Sequence, residues 1–157
     1  MAINVLFLCN DNSTRSVMAE ALLKRFGDRR FRAFSAGIAP GRAIHPLAQE
    51  MLNASGLNVP QDRPKSADGF LSPTAPKMDL VIAMAEEAEP LLRDWPGPVF
   101  KAYWRITDPR SEESNHTELW RNFRRAFREL ETRMRLLVLV RHQPRPDRRT
   151  GELTDTV

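Results

Sequence analysis

The chain has 157 residues, 41% of them hydrophobic and 28% charged, with a formal net charge of +4 and one cysteine. That length allows one domain with one core, and the lone Cys9 excludes an internal disulfide and any cysteine-rich zinc site. Of 24 basic residues only Lys24, Lys65, Lys77 and Lys101 are lysines, and such an arginine-rich chain points to an acidic partner or an anionic substrate. No helix-turn-helix, zinc-finger or aromatic RNA-binding motif accompanies the arginines, so no nucleic acid partner is expected. No apolar run approaches the roughly 20 residues of a membrane span. The opening Met1-Ala2-Ile3-Asn4 lacks the basic start of a signal peptide. The expectation is a cytoplasmic, reducing location with no membrane partner, which suits a free thiol.

Val5-Leu6-Phe7-Leu8 is a continuous apolar run, the pattern of a strand buried on both faces. A polar segment follows, Cys9-Asn10-Asp11-Asn12-Ser13-Thr14-Arg15-Ser16. Val17, Met18, Ala21, Leu22 and Phe26 then recur at helical spacing, and Gly27 is the expected stop. Residues 31–36 read as a second strand, closed by Gly37. Pro46 suits a first helical turn, with Leu47, Met51 and Leu52 on one face before Gly56. Residues 79–84 contain the buried-type run Leu80-Val81-Ile82-Ala83. Glu86, Glu87 and Glu89 favour a helix N-terminus, where carboxylates meet the positive end of the dipole. Residues 99–104 are a fourth strand. Across 116–140, Leu119, Phe123, Phe127, Leu130, Met134 and Leu137 repeat every three or four positions, which predicts a long amphipathic helix. The alternation argues an α/β domain with a parallel sheet and helices on both faces. The domain is expected over 1–142. Residues 143–157, with Pro144 and Pro146 and little to bury, are expected to form a disordered tail.

The first loop is the place to look for chemistry, because open α/β sheets bind ligands where loops leave the C-terminal ends of strands. Loop amides and the following helix dipole create an oxyanion site there. A lone cysteine beside an apolar strand is most often a small buried hydrophobe. Cys9, however, precedes a helix entrance with Arg15 six residues on, and the dipole, amides and guanidinium all favour the nucleophilic thiolate. Arg15 suits a bidentate grip on a tetrahedral oxyanion, and the Ser16 hydroxyl suits donation to the sulfur.

Cys9, five residues, then Arg15-Ser16 resembles the phosphate loop of the low-molecular-weight protein tyrosine phosphatase superfamily, which includes the arsenate reductases. Met18-Ala19-Glu20-Ala21, Phe34-Ser35-Ala36-Gly37, His45-Pro46 and Arg63-Pro64-Lys65-Ser66 resemble later family signatures. Trp95-Pro96-Gly97, Trp104 and Asp108-Pro109 resemble the reductase branch especially. The resemblance spans residues 3–140. It implies a three-layer sandwich around a four-stranded parallel sheet in flavodoxin-like order 2-1-3-4. It also implies that Cys9 attacks phosphorus or arsenic, that Arg15, Ser16 and the loop Asn10, Asp11, Asn12, Ser13 and Thr14 bind the oxyanion, and that Asp108 is the general acid.

Three departures qualify the match. The loop's third position is usually glycine and here is Asp11, whose carboxylate is expected to point out or pair with an arginine. Alignment on Trp95-Pro96-Gly97 puts Met84 and Leu92 where thioredoxin-coupled reductases carry two relay cysteines, so an internal disulfide cascade is impossible. Asp108-Pro109 is followed by Arg110-Ser111-Glu112-Glu113 in place of the phosphatases' tyrosines. The leading expectation is therefore an arsenate-reductase-like enzyme with no bound cofactor or metal. Its Cys9 is resolved by an external thiol, glutathione or mycothiol, with a glutaredoxin-type partner. The alternatives are a phosphatase working on a phosphorylated substrate through a cysteinyl-phosphate, and a non-enzymatic phosphate- or partner-binding module.

Other residues have simpler readings. His45 before Pro46 is expected to cap a helix and His116 to start one, and three scattered histidines give no metal constellation. Trp95, Trp104 and Trp120 are packing residues. Arg121, Arg124, Arg125, Arg128, Arg133 and Arg135 form a solvated helix face with partial pairing to Glu129 and Glu131, or else a surface for an acidic partner.

Overall fold

In the computed structural model, which describes residues 2–59, 63–110 and 115–140, strand β1 (Ile3–Cys9) runs through the middle of the sheet. It pairs in parallel with β2 (Phe31–Gly37) on one side and β3 (Leu80–Ala83) on the other, and β3 pairs with β4 (Phe100–Tyr103). The order is β2-β1-β3-β4, as the resemblance implies. Helices α1 (Arg15–Phe26), α2 (Pro46–Ala54), α3 (Glu89–Asp94) and α4 (His116–Val140) complete the described elements, with short 3-10 turns between them.

Side-chain alternation along the central strands divides the core into two. Val5 and Phe7 of β1 and Leu80 and Ile82 of β3 pack with α1, α2 and the Phe123, Phe127, Leu130 and Met134 stripe of α4. Leu6, Leu8, Val81 and Ala83 face the other way, onto Ala67, Leu92 and Trp95. The continuous apolar run in β1 thus has a simple cause: both faces of the strand are covered. Helix α1 is buried at every residue from Arg15 to Leu23, because it lies between the sheet and α4.

Two expectations change in detail. Gly27 stops α1 in a right-handed conformation, and it is Asp28 that takes the positive φ of 51°. The glycine is there for space: a Cβ would lie 2.7 Å from the Leu23 carbonyl and 2.9 Å from Phe31. The acidic run 86–89 is split into a 3-10 turn (Glu86–Ala88) and the short α3, which carries a proline in its first turn. The proposed tail 143–157 and the run Ser111-Glu112-Glu113 lie outside the described residues. Among the described residues no helix is long and apolar enough to cross a membrane.

Gly37 positions the first loop. Cys9 and Gly37 are register partners at the end of β1 and β2. A Cβ on Gly37 would sit 2.8 Å from the Asn10 carbonyl oxygen and 2.9 Å from the Asn12 nitrogen, both backbone atoms that cannot rotate away. Gly37→Ala should therefore cost about 1–3 kcal/mol and displace the loop. Urea denaturation reads the first effect, and changed amide shifts at Asn10 to Asn12 read the second.

Candidate active site

The chain leaves β1 at Cys9, turns through five residues and enters α1 at Arg15. Asn12 takes the left-handed conformation that this turn needs, with φ 55°, which asparagine tolerates better than most residues. The positive φ is thus at the fourth loop position, not at Asp11. Asn12 is fixed at both ends: its Oδ1 accepts from the Lys65 amide at 2.9 Å and its Nδ2 donates to Ser16 Oγ at 2.8 Å. Lys65 is itself docked, its carbonyl accepting from Gly37 N at 2.8 Å and its ammonium 3.9 Å from the buried Glu20.

Ser16 Oγ, which accepts from Asn12, lies 2.8 Å from Cys9 Sγ, where it accepts from a thiol or donates to a thiolate. The Asn12 amide donates to the same sulfur at 3.2 Å. Cys9 is nonetheless only 1% exposed. Burial pushes its thiol up, and the opposing pull of Ser16, the Arg15 charge and Asn12 does not overcome it. The net direction is thus up, against the expectation that the loop favours the thiolate.

Arg15 is anchored from behind. Its Nη1 donates to the carbonyl oxygens of Met84 at 2.8 Å and Ile106 at 2.9 Å. Its Nη2 lies 3.6 Å from Asp108 Oδ2, and its buried Nε has no hydrogen-bond partner among the described residues. Nη1 thus anchors the guanidinium on the backbone, while Nη2 turns toward Asp108. A cavity of about 200 Å³ is lined by Arg15, by Met84 and Ile106, whose carbonyls anchor it, and by Glu86, Tyr103 and Arg105 among others; Cys9 does not line it.

Asp108 and Asp11 meet through a residue that sequence reasoning missed as part of the site, Arg110. Its Nε and Nη2 grip the two oxygens of Asp108, each at 3.0 Å, and its amide donates to Oδ1 at 2.9 Å. Its Nη1 reaches Asp11 Oδ2 at 2.7 Å and Ser13 Oγ at 3.1 Å. Asp11 Oδ1 accepts from the Ser13 amide at 3.2 Å. Burial pushes both carboxyls up, but Arg110 outweighs it and holds both below the usual carboxylate range, with help from Ser13 at Asp11 and Arg15 at Asp108. Burial likewise opposes the charge on Arg110, and its two carboxylates keep it protonated. The only local signal for Arg110 is its position two residues after Asp108, across Pro109.

The remaining predicted loop members are placed as follows. Asn10 accepts from Ala39 N at 2.8 Å through its carbonyl, and Thr14 is the residue before α1, fully buried, with no side-chain cap bond. The helix has no acidic residue in its first turn, and the carboxylates near its start are Asp11 and Asp108. His45 caps α2, its Nδ1 accepting from Leu47 N at 3.1 Å, and its amide donates to the Ser13 carbonyl at 3.0 Å. Met84 and Leu92 are both buried apolar side chains. Among the described residues no group of three or more potential ligands could hold a metal.

The sequence model of the low molecular weight phosphotyrosine protein phosphatases matches residues 4–145. The chain belongs to this family. It is 28% identical to an arsenate reductase of Brevibacillus brevis over 131 residues, which is 83% of this chain and 90% of that relative. The structure of an arsenate reductase from Archaeoglobus fulgidus superposes with a TM-score of 0.66 at 28% identity, covering 85% of this chain and 98% of the other. An arsenate reductase in its phosphate-binding state superposes with a TM-score of 0.72 at 25% identity, covering 88% and 98%. These relatives are enzymes, and the chain is an enzyme of the same family.

Burial of the sulfur has a direct consequence. The rate of Cys9 alkylation by iodoacetamide should rise with pH through a midpoint above the ordinary thiol value of about 8.5. Ser16→Ala, which removes a donor to the thiolate, should move the midpoint higher still. A midpoint well below 8 would mean that the loop donors, not burial, control the thiol.

Proposed function

We propose that this enzyme reduces arsenate, with Cys9 as nucleophile and an external thiol as reductant. The observation that carries the reading is a buried Cys9 sulfur in contact with the Asn12 amide and the Ser16 hydroxyl, at the entrance of the helix that begins with Arg15, whose guanidinium is anchored on two carbonyls and faces Asp108. Arsenate reductases among the relatives support arsenate as the substrate. Met84 lines the cavity beside Arg15 at the position where the resemblance places a relay cysteine, so the reducing thiol comes from outside.

The chemistry balances as follows. The Cys9 sulfur attacks arsenic and an As–O bond breaks, with the oxygen leaving as water. An external thiol then attacks the Cys9 sulfur. The As–S bond breaks with its electron pair left on arsenic, giving arsenite, and Cys9 remains in a mixed disulfide with the thiol. A second thiol reduces that disulfide. The first step needs a thiolate and a proton for the leaving oxygen. Burial favours holding that proton on Cys9, and Arg110 favours the ionised form of Asp108. An incoming dianion accepts the thiol proton, which then departs with the leaving group, and Asp108 passes it along.

One observation favours a second reading, phosphatase chemistry. Cys9 is the only cysteine in the chain, and water alone can hydrolyse a cysteinyl-phosphate. Asp108 would then serve as acid and afterwards as base.

A single paired assay separates the two. Arsenite release is followed with glutathione and glutaredoxin, or with mycothiol and its redoxin, beside hydrolysis of p-nitrophenyl phosphate. Arsenite release that vanishes in Cys9→Ser is the expected result. No release with any donor would sink the reductase reading, and Cys9-dependent phosphate release alone would establish the other. In either reaction Asp108→Asn should lower kcat by roughly 100- to 10,000-fold.

A further inference from the structure

We propose that Asp11 and Arg110 are an interlocked pair that sets the oxyanion affinity of the first loop, Arg110 neutralising the carboxylate that Asp11 brings to it and positioning Asp108 beside Arg15. This rests on the reading of that loop as an oxyanion site. Two observations carry it. First, Asp11 Oδ1 lies on the Ser13 amide at 3.2 Å, so a negative charge is fixed against one of the loop's own donors. Left alone, that charge would repel any incoming anion. Second, one guanidinium spends all three nitrogens on this problem: Nη1 on Asp11 and Ser13, Nε and Nη2 on Asp108. Arg110 and its two carboxylate partners are each about a quarter exposed, so the pair works in a partly desolvated setting where its charges are only partly screened.

The planar fork matters as well as the charge. Asp108 accepts two parallel bonds from Arg110 and a third from its amide. That leaves its Oδ2 at 3.6 Å from Arg15 Nη2. The charged or titratable groups around the pair are Arg15 on α1, His45 at the start of α2, and Arg125 and Glu129 of α4, which line a cavity of about 100 Å³ together with Asp108. Arg110 is the group that bonds both carboxylates. It is a positioning residue for Asp108 and an affinity-setting residue for the loop.

The proposal predicts a rescue. Binding of inorganic phosphate is measured by calorimetry in the full chain, for wild type, Arg110→Met, Asp11→Gly and the double variant. Arg110→Met should weaken phosphate at least about tenfold, the scale of one uncompensated charge a few ångströms from a bound anion. Asp11→Gly should hold or tighten binding, and the double variant should return to within a few-fold of wild type. A merely structural arginine would not be rescued by removing a loop carboxylate. Arg110→Lys, which keeps charge but loses the fork, should retain most phosphate affinity while lowering kcat, and it serves where Arg110→Met does not fold. Additive losses in the double variant, or unchanged affinity in Arg110→Met, would overturn the proposal while leaving the oxyanion site standing. A wild type that does not bind phosphate would overturn both.

Discussion

The site is organised around a sulfur at the end of a buried strand, at the point where the chain must turn sharply into a helix. β1 runs between covered faces, so Cys9 arrives with almost no exposed surface. The turn beyond it lies against the backbone of β2 at Gly37, with no room for a Cβ. Those two facts force the rest. The loop has one left-handed residue, Asn12, and its amide side chain must be satisfied inside the protein. It finds the Lys65 amide on one side and Ser16 on the other. The Ser16 hydroxyl is thereby held against the sulfur. A packing constraint in the sheet thus determines which polar groups face Cys9.

Burial and charge act against each other at this point. Desolvation keeps the proton on Cys9, while Ser16 and Arg15 pull toward the thiolate. At Asp108 the balance falls the other way, because Arg110 and Arg15 outweigh desolvation. Burial and the two arginines thus shift the Cys9 thiol and the Asp108 carboxyl in opposite directions, up for the one and down for the other, although the two groups share the same guanidinium, Arg15, as a neighbour.

How much of this was legible in the sequence depends on the range of the interaction. The β1 run and the period of α4 were readable because each reports one simple environment, a strand covered twice and a helix covered once. Helix α1 was readable only coarsely, since burial from Arg15 to Leu23 leaves little contrast between its faces. The loop was readable because Cys9, Asn12, Arg15 and Ser16 are neighbours in the chain. Asp108 was readable only through its Asp-Pro signature. The carbonyls of Met84 and Ile106 that anchor Arg15 were not readable, because backbone acceptors leave no mark in a side-chain pattern. Arg110 was hidden for a different reason. Its meaning depends on Asp11, 99 positions away, and a charge looks like ordinary surface until its partner is in place.

That dependence bears on how Asp11 should be understood. In isolation a carboxylate in an oxyanion loop looks like a disabling change, one that suits a non-enzymatic phosphate- or partner-binding module. The backbone conformation removes the first objection, since the left-handed residue is Asn12 and Asp11 carries no strain of that kind. The guanidinium reduces the second, since its positive charge lies 2.7 Å from the Asp11 carboxylate. What remains is a loop closed on one side by a cation that already holds Asp108. The carboxylate in the loop is therefore to be read together with the guanidinium that bonds it and fixes Asp108 at the same time.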